Sequence, residues 1–204
     1  MAVLLPNLPY ARDSLQPHLS AAAVSHHYDA HHQDCIDELN GLIAGSAYDA
    51  LALDQIIDRA SMRRDEPVLT SALRAWHHGL YWQSLSPSGG GRPGGRLMEL
   101  ISLQFRSFER FMETIRKAAS LNNDNGWVWL VVDRGLLRIT TSRETQSPIR
   151  VGQHPILALD LWAHAYFLDY GHDRDRYIDA LMNHLINWDF ASVNLDAAEM
   201  PLAA

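Results

Sequence analysis

The chain has 204 residues, enough for one large domain or two small ones around a real hydrophobic core. Apolar residues make up 47% and charged residues 20%, a balance that places it among globular chains and excludes a disordered one. The formal charge is -7 and no basic block exceeds Arg63-Arg64, so nucleic-acid binding has no electrostatic footprint.

Residues 7–17 are punctuated by proline and read as an extended lead-in. Ser20 is placed to cap a helix. Over residues 21–44 apolar and His positions recur at helical spacing, and Gly45 is a natural stop. A short helix is expected at 53–60 and a second long one at 68–83, ended by Ser86-Pro87. Two long helices with a short connection predict an antiparallel helical hairpin.

Residues 88–95 hold five Gly and one Pro and read as a linker. That divides the chain into a helical-hairpin domain over 1–87 and a second domain over 96–204. Amphipathic helices are predicted at 96–105 and 107–121. Residues 127–133 and 136–141 read as strands joined by a turn at Arg134-Gly135, and 156–160 as a third, apolar strand. Helices return at 174–186, with a short one near Asp189. The fold class is therefore α+β: a helical hairpin, then a domain with a small three-stranded antiparallel sheet.

The single Cys, Cys35, excludes an intramolecular disulfide and fits a reducing compartment. Residues 1–10 lack a basic start and a full apolar signal core, and no apolar run is long enough to span a bilayer. Cytoplasm is the expected location, with no membrane partner.

His27, His31 and Cys35 follow one another at four-residue spacing on the first long helix, and so share a stripe. Arg74, His78 and Trp82 repeat the pattern on the second. A hairpin can bring the stripes together and offer one imidazole from each. Asp160 ends an apolar strand, and His164 follows four residues later. Three imidazoles and one carboxylate suit a redox-active first-row metal such as iron or manganese and leave a position open for water or substrate. Taken singly these cues are weak. With eleven His in the chain, the neighbours His26-His27 and His31-His32 read as surface residues, and Asp-x-x-x-His is a common accident. A zinc hydrolase would accept the same donors, but no His-Glu-x-x-His string is present.

Together the strings are more specific. Leu8-Pro-Tyr10, His27-Tyr28 with His31-His32-Gln33, Trp76 through Trp82, Gly126-Trp127-x-Trp129, Asp160-x-Trp162-x-His164-Ala-Tyr166 and Asn187-Trp188-Asp189-Phe190 occur in the order found in iron/manganese superoxide dismutases. The chain resembles that family over residues 8–195. The resemblance implies His27, His78, Asp160 and His164 as ligands of one iron or manganese ion per chain. It implies a homodimer and an M(III)/M(II) cycle that disproportionates superoxide to oxygen and hydrogen peroxide. It also points to His31, Tyr28, Trp127 and Arg174 around the substrate path, with Cys35 and Arg74 at positions where the family carries other residues.

Cys35 stands where a substrate-gating Tyr is usual. It either opens the funnel or is a small buried filler. Arg74 stands where iron-type members often place a water-binding Gln. It either sits by the metal, paired with Glu144, or turns outward into a surface salt bridge. Glu144 or Gln146 is a candidate for the water contact that manganese-type members make from this region. Ala163 and Phe167 replace a Glu and a Tyr that bridge the family's twofold interface, and Ala30 and His77 replace a basic residue and an Asn. These changes leave a second reading open, a dismutase-like metalloenzyme that oxidises a small organic molecule with oxygen. A third, non-enzymatic reading fits poorly with a complete ligand set.

Overall fold

The computed structural model describes residues 2–121, 125–143 and 146–199. Ser20 Oγ accepts the Ala23 amide at 3.0 Å and opens α1 (Ala21–Ser25). The helix then widens into a π-helical stretch, His26–His32, and returns as α2 (Gln33–Ile43). The helix expected at 21–44 is thus continuous, but its middle turns are wider. Such π segments occur mostly at functional sites, and this one carries His27 and His31. Gly45 follows at φ +67°, in the left-handed region that glycine adopts freely.

After α3 (Leu53–Arg63) comes α4 (Glu66–Gln83), with Pro67 in its first turn, where the missing N–H costs nothing. Both α2 and α3 pack on α4. Leu39, Ile43, Ile56, Leu69 and Leu73 form a small apolar core among them. The second half opens with α5 (Gly95–Phe105) and α6 (Phe108–Leu121). The sheet follows as β1 (Trp127–Asp133), β2 (Leu136–Ser142) and β3 (His154–Asp160), all antiparallel in the order β2-β1-β3. Central β1 is buried along nearly its whole length, which explains its unbroken apolar run. Its register sets Trp127 opposite Asp160.

The α+β class stands, with three helical readings corrected. The helix α7 (Ala163–Tyr170) was not expected. It starts from an extended Trp162 whose side chain makes no cap. The helix expected at 174–186 is α8 (Arg174–Ala180) followed by a π turn, Leu181–Leu185. The short helix near Asp189 is the twelve-residue α9 (Trp188–Glu199). A 3-10 turn, Pro148–Val151, also precedes β3.

The glycine-rich segment is fastened down. Ser86 and Gly90 amides donate to the carbonyls of Leu185 and Ile186 at 2.8 and 2.9 Å, and Trp188 Nε1 donates to Gly91 O at 3.2 Å. This strap ties the end of α4 to the π turn after α8. A Cβ on Gly90 would lie 2.2 Å from Asn183 O, and its φ is +81°. Gly90→Ala is therefore expected to destabilise the protein by about 1–3 kcal/mol through overpacking. Thermal unfolding would show a fall of roughly 2–4 °C per kcal/mol; an unchanged midpoint would mean that the strap does not hold the two segments.

Candidate metal centre

Four donor atoms, one each from His27, His78, Asp160 and His164, lie within 4.8 Å of one another. His27 comes from the π stretch, His78 from α4, Asp160 from the end of β3 and His164 from the first turn of α7. Asp160 has no exposed surface, and His27 and His78 are 2% and 3% exposed. Their geometry centres on one atom. Asp160 Oδ2 lies 3.2 Å from His27 Nε2, 3.7 Å from His78 Nε2 and 3.2 Å from His164 Nε2. Asp160 Oδ1 is turned away and accepts the Trp162 amide at 2.9 Å. Tyr177 Oη donates to the Asp160 carbonyl at 3.0 Å and meets Tyr81 Oη at 3.1 Å, so side chain and backbone are both anchored.

The donors fit a cation. His78 Nδ1 can only donate to the Arg74 carbonyl, 2.7 Å away, which leaves the Nε2 lone pair facing the cluster. His27 Nε2 and His78 Nε2 are buried and make no hydrogen bond. Buried polar atoms without partners are costly, and a shared metal ion would satisfy both. Burial pushes the His27 and His78 imidazoles down, despite the pull of Asp160 in the other direction. Burial would by itself push the Asp160 carboxyl up. The His164 and His27 imidazoles outweigh it and hold that carboxyl below the usual carboxylate range. Neutral imidazoles around an ionised carboxylate are the protonation states that ligation needs.

A cavity of about 250 Å³ opens beside the donors. His78 and His164 form part of its lining, with His31, Thr70, Trp127 and Trp162 around them and Arg74 completing the wall. His31 stacks on His164 with ring centroids 3.7 Å apart. Burial, then His164, pushes His31 down to about 3. Trp127 meets His78 edge-on at 5.3 Å.

Of the residues singled out in the sequence, His31, Arg74 and Trp127 line this cavity together with the donors His78 and His164. Tyr28 is buried, and its hydroxyl donates to the Pro6 carbonyl at 2.8 Å. Cys35 has no exposed surface and is not part of the lining, so the filler reading describes its place. Arg174 reaches the Ala119 carbonyl at 3.2 Å, on α6. Arg74 Nη1 donates to Glu38 Oε2 at 2.8 Å, an outward salt bridge. Glu144 lies outside the described residues. Gln146 is exposed, and its Oε1 accepts the Arg143 amide at 3.5 Å, so it makes a local turn rather than a contact in this cavity. His27 and His32 are buried while His26 is exposed and His31 partly so, which corrects the surface reading for one member of each pair.

Sequence reasoning missed Trp162, Thr70 and Glu38. Trp162 stacks with His164 at 6.0 Å, and its place between Asp160 and His164 was a usable cue. Glu38 follows Cys35 by three residues on the same face, but its partner on α4 lies 36 positions away. His77 was noted only as replacing an Asn. It is fully buried against Trp127 and Trp129, at 5.3 and 4.8 Å, and burial pushes it down to about 3.

Comparison with known proteins returns one family. The profile described as iron/manganese superoxide dismutases, alpha-hairpin domain, matches residues 3–86. The profile for the C-terminal domain of the same enzymes matches residues 93–194. The chain is 41% identical to a superoxide dismutase [Fe] of Legionella pneumophila, over 96% of this chain and 100% of that protein. It is 37% identical to a superoxide dismutase [Fe] of Synechocystis, over 97% of this chain and 100% of the relative. A superoxide dismutase [Mn/Fe] of Rickettsia bellii is 36% identical, over 94% of this chain and 92% of its own length.

Burial in the first place pushes the Cys35 thiol up to about 11. At pH 8 roughly one thiolate in a thousand would form, behind a closed surface. Iodoacetamide at pH 8 is therefore expected to leave the folded protein unmodified and to label it fully in denaturant, as mass spectrometry would read. Rapid labelling of the folded protein would put Cys35 on the substrate path.

Proposed function

The chain belongs to the iron/manganese superoxide dismutase family, and we propose that it disproportionates superoxide to oxygen and hydrogen peroxide with one iron or manganese ion. The observation that carries this reading is the convergence of three imidazoles and one buried carboxylate on a single point beside an open cavity. The likeness to superoxide dismutases over nearly the whole chain supports it over oxidation of a small organic molecule.

His27, His78, Asp160 and His164 hold the metal. When bound, it supplies the one-electron couple that takes an electron from one superoxide and gives it to a second, with two protons completing the peroxide. The protein does the rest. Asp160 contributes the one negative charge among the donors, which favours the oxidised ion. The Arg74 carbonyl and the Trp162 amide fix the orientation of His78 and Asp160. Trp127 and Trp162 wall the cavity and lower its polarity, which strengthens every charge interaction within it. His31 stacks on His164 and lines the cavity through which an anion would arrive.

The same proposal takes 88–95 as the boundary between a hairpin domain and an α+β domain. It also takes the cytoplasm as the location, a place suited to the lone thiol of Cys35. It includes a homodimer with an altered interface. Phe167 and Leu168, 50% and 59% exposed, lie on α7 beside His164 and offer an apolar surface to a second copy. Sedimentation at micromolar concentration is expected to give twice the chain mass; a monomer would remove this part.

The function itself is tested by stopped-flow superoxide decay on protein of known metal content. Decay per bound metal is expected to approach the diffusional ceiling of roughly 10⁸–10⁹ M⁻¹s⁻¹. Little activity with a full site would overturn the reading. His78→Ala and Asp160→Ala are each expected to abolish metal retention, measured by elemental analysis after gel filtration. Full metal in either variant would refute the ligand assignment.

A further inference from the structure

We propose that Arg74 is the cation that draws superoxide into the cavity beside the four donors, and that Glu38 sets how much of its charge the substrate meets. The inference rests on the dismutase reading and deepens it by naming how the anion is selected.

The chain as a whole repels an anion, with a formal charge of -7. A small negative substrate therefore needs a local field of opposite sign. Arg74 supplies one at the right place. It shares the cavity wall with His31, His78 and Trp127. Its side chain is also 36% exposed, so the same residue meets both the cavity and solvent. Arg74 brings a guanidinium charge to that wall.

The charge is tempered. Glu38 Oε2 accepts from Arg74 Nη1 at 2.8 Å, and Glu38 Oε1 accepts from Ser71 Oγ at 3.0 Å. Ser71 thus holds the carboxylate in place against Arg74. The pair is monodentate through Nη1, so this bond commits one donor of the five in the guanidinium fork. Glu38 is itself half-exposed and is not part of the cavity lining. An anion in the cavity therefore meets the arginine before the glutamate.

Two substitutions separate this role from a merely structural salt bridge. Glu38→Gln keeps one oxygen for Arg74, turns the other contact into an amide that can donate to Ser71 Oγ, and removes the opposing charge. Arg74→Gln removes the cation. If the pair were only structural, both would act in the same direction. Under the proposal they act in opposite directions. Arg74→Gln should lower kcat/KM for superoxide about 3–10-fold at low ionic strength and flatten its salt dependence. Glu38→Gln should raise kcat/KM about 2–3-fold and steepen that dependence.

Azide binding to the metal-loaded protein, followed by visible absorption, gives a second readout independent of turnover. The dissociation constant should fall in Glu38→Gln and rise in Arg74→Gln, each by about threefold or more. Equal azide constants in all three proteins would overturn the proposal, as would shifts in the same direction in both variants. If the loaded parent protein failed to dismutate superoxide while the azide order held, the dismutase reading would fall and the anion-guiding role of Arg74 would stand.

Discussion

Asp160 carries a carboxylate with no exposed surface, where an uncompensated charge would cost on the order of several kcal/mol. Everything near it is arranged to offset that. One oxygen is held by a backbone amide, the other faces three imidazoles, and the backbone carbonyl is held by a tyrosine hydroxyl. None of these groups is local except Trp162 and His164. His27 and His78 come from the two long helices, and Tyr177 comes from α8. The anion can be satisfied only when both halves of the chain are docked, so the site and the tertiary fold form together. The strap from Ser86 to Gly91 serves the same end, by fastening the end of α4 to the turn after α8.

The aromatic shell explains why the donors are so well fixed. His78 has Trp127 at its edge, and His27 has Trp82 at 4.7 Å and Tyr81 at 5.2 Å. Rings packed at these distances leave few alternative rotamers and keep the local dielectric low. The cost falls on the polar atoms of the shell. Both ring nitrogens of His77 and Nε1 of Trp82 are buried without a hydrogen-bond partner. A rigid apolar box around a charged centre is thus gained at the expense of a few unsatisfied groups beside it.

Much of this was legible in the sequence. The strands were clear because apolar and β-branched residues fill 127–133 and 156–160. The clustering of the four donors was legible because the strings that hold them resemble, in order, those of the superoxide dismutases. The eight-residue α7 was missed for a physical reason. It lacks a side-chain cap at Trp162 and ends at Gly171 without a long periodic face. The π stretches were invisible because their residues have no composition that separates them from ordinary helix. The Arg74–Glu38 pair was invisible for another reason. Spacing along one helix shows which residues share a face, but not which residue of a second helix meets them.

Cys35 and Arg74 take opposite places around the site. The thiol of Cys35 fills core space with no exposed surface. An arginine at position 74 is long enough to leave the donors and meet a carboxylate at the surface. Arg74 still lines the cavity of about 250 Å³ beside His78, while Cys35 stays out of that lining. That space is large for a diatomic anion, so it also has room for water. Water suits a reaction that consumes two protons and must release peroxide, because proton supply and product exit then share one path. An arginine in the lining changes how charge and solvent reach the four donors while leaving the arrangement of the donors themselves unchanged.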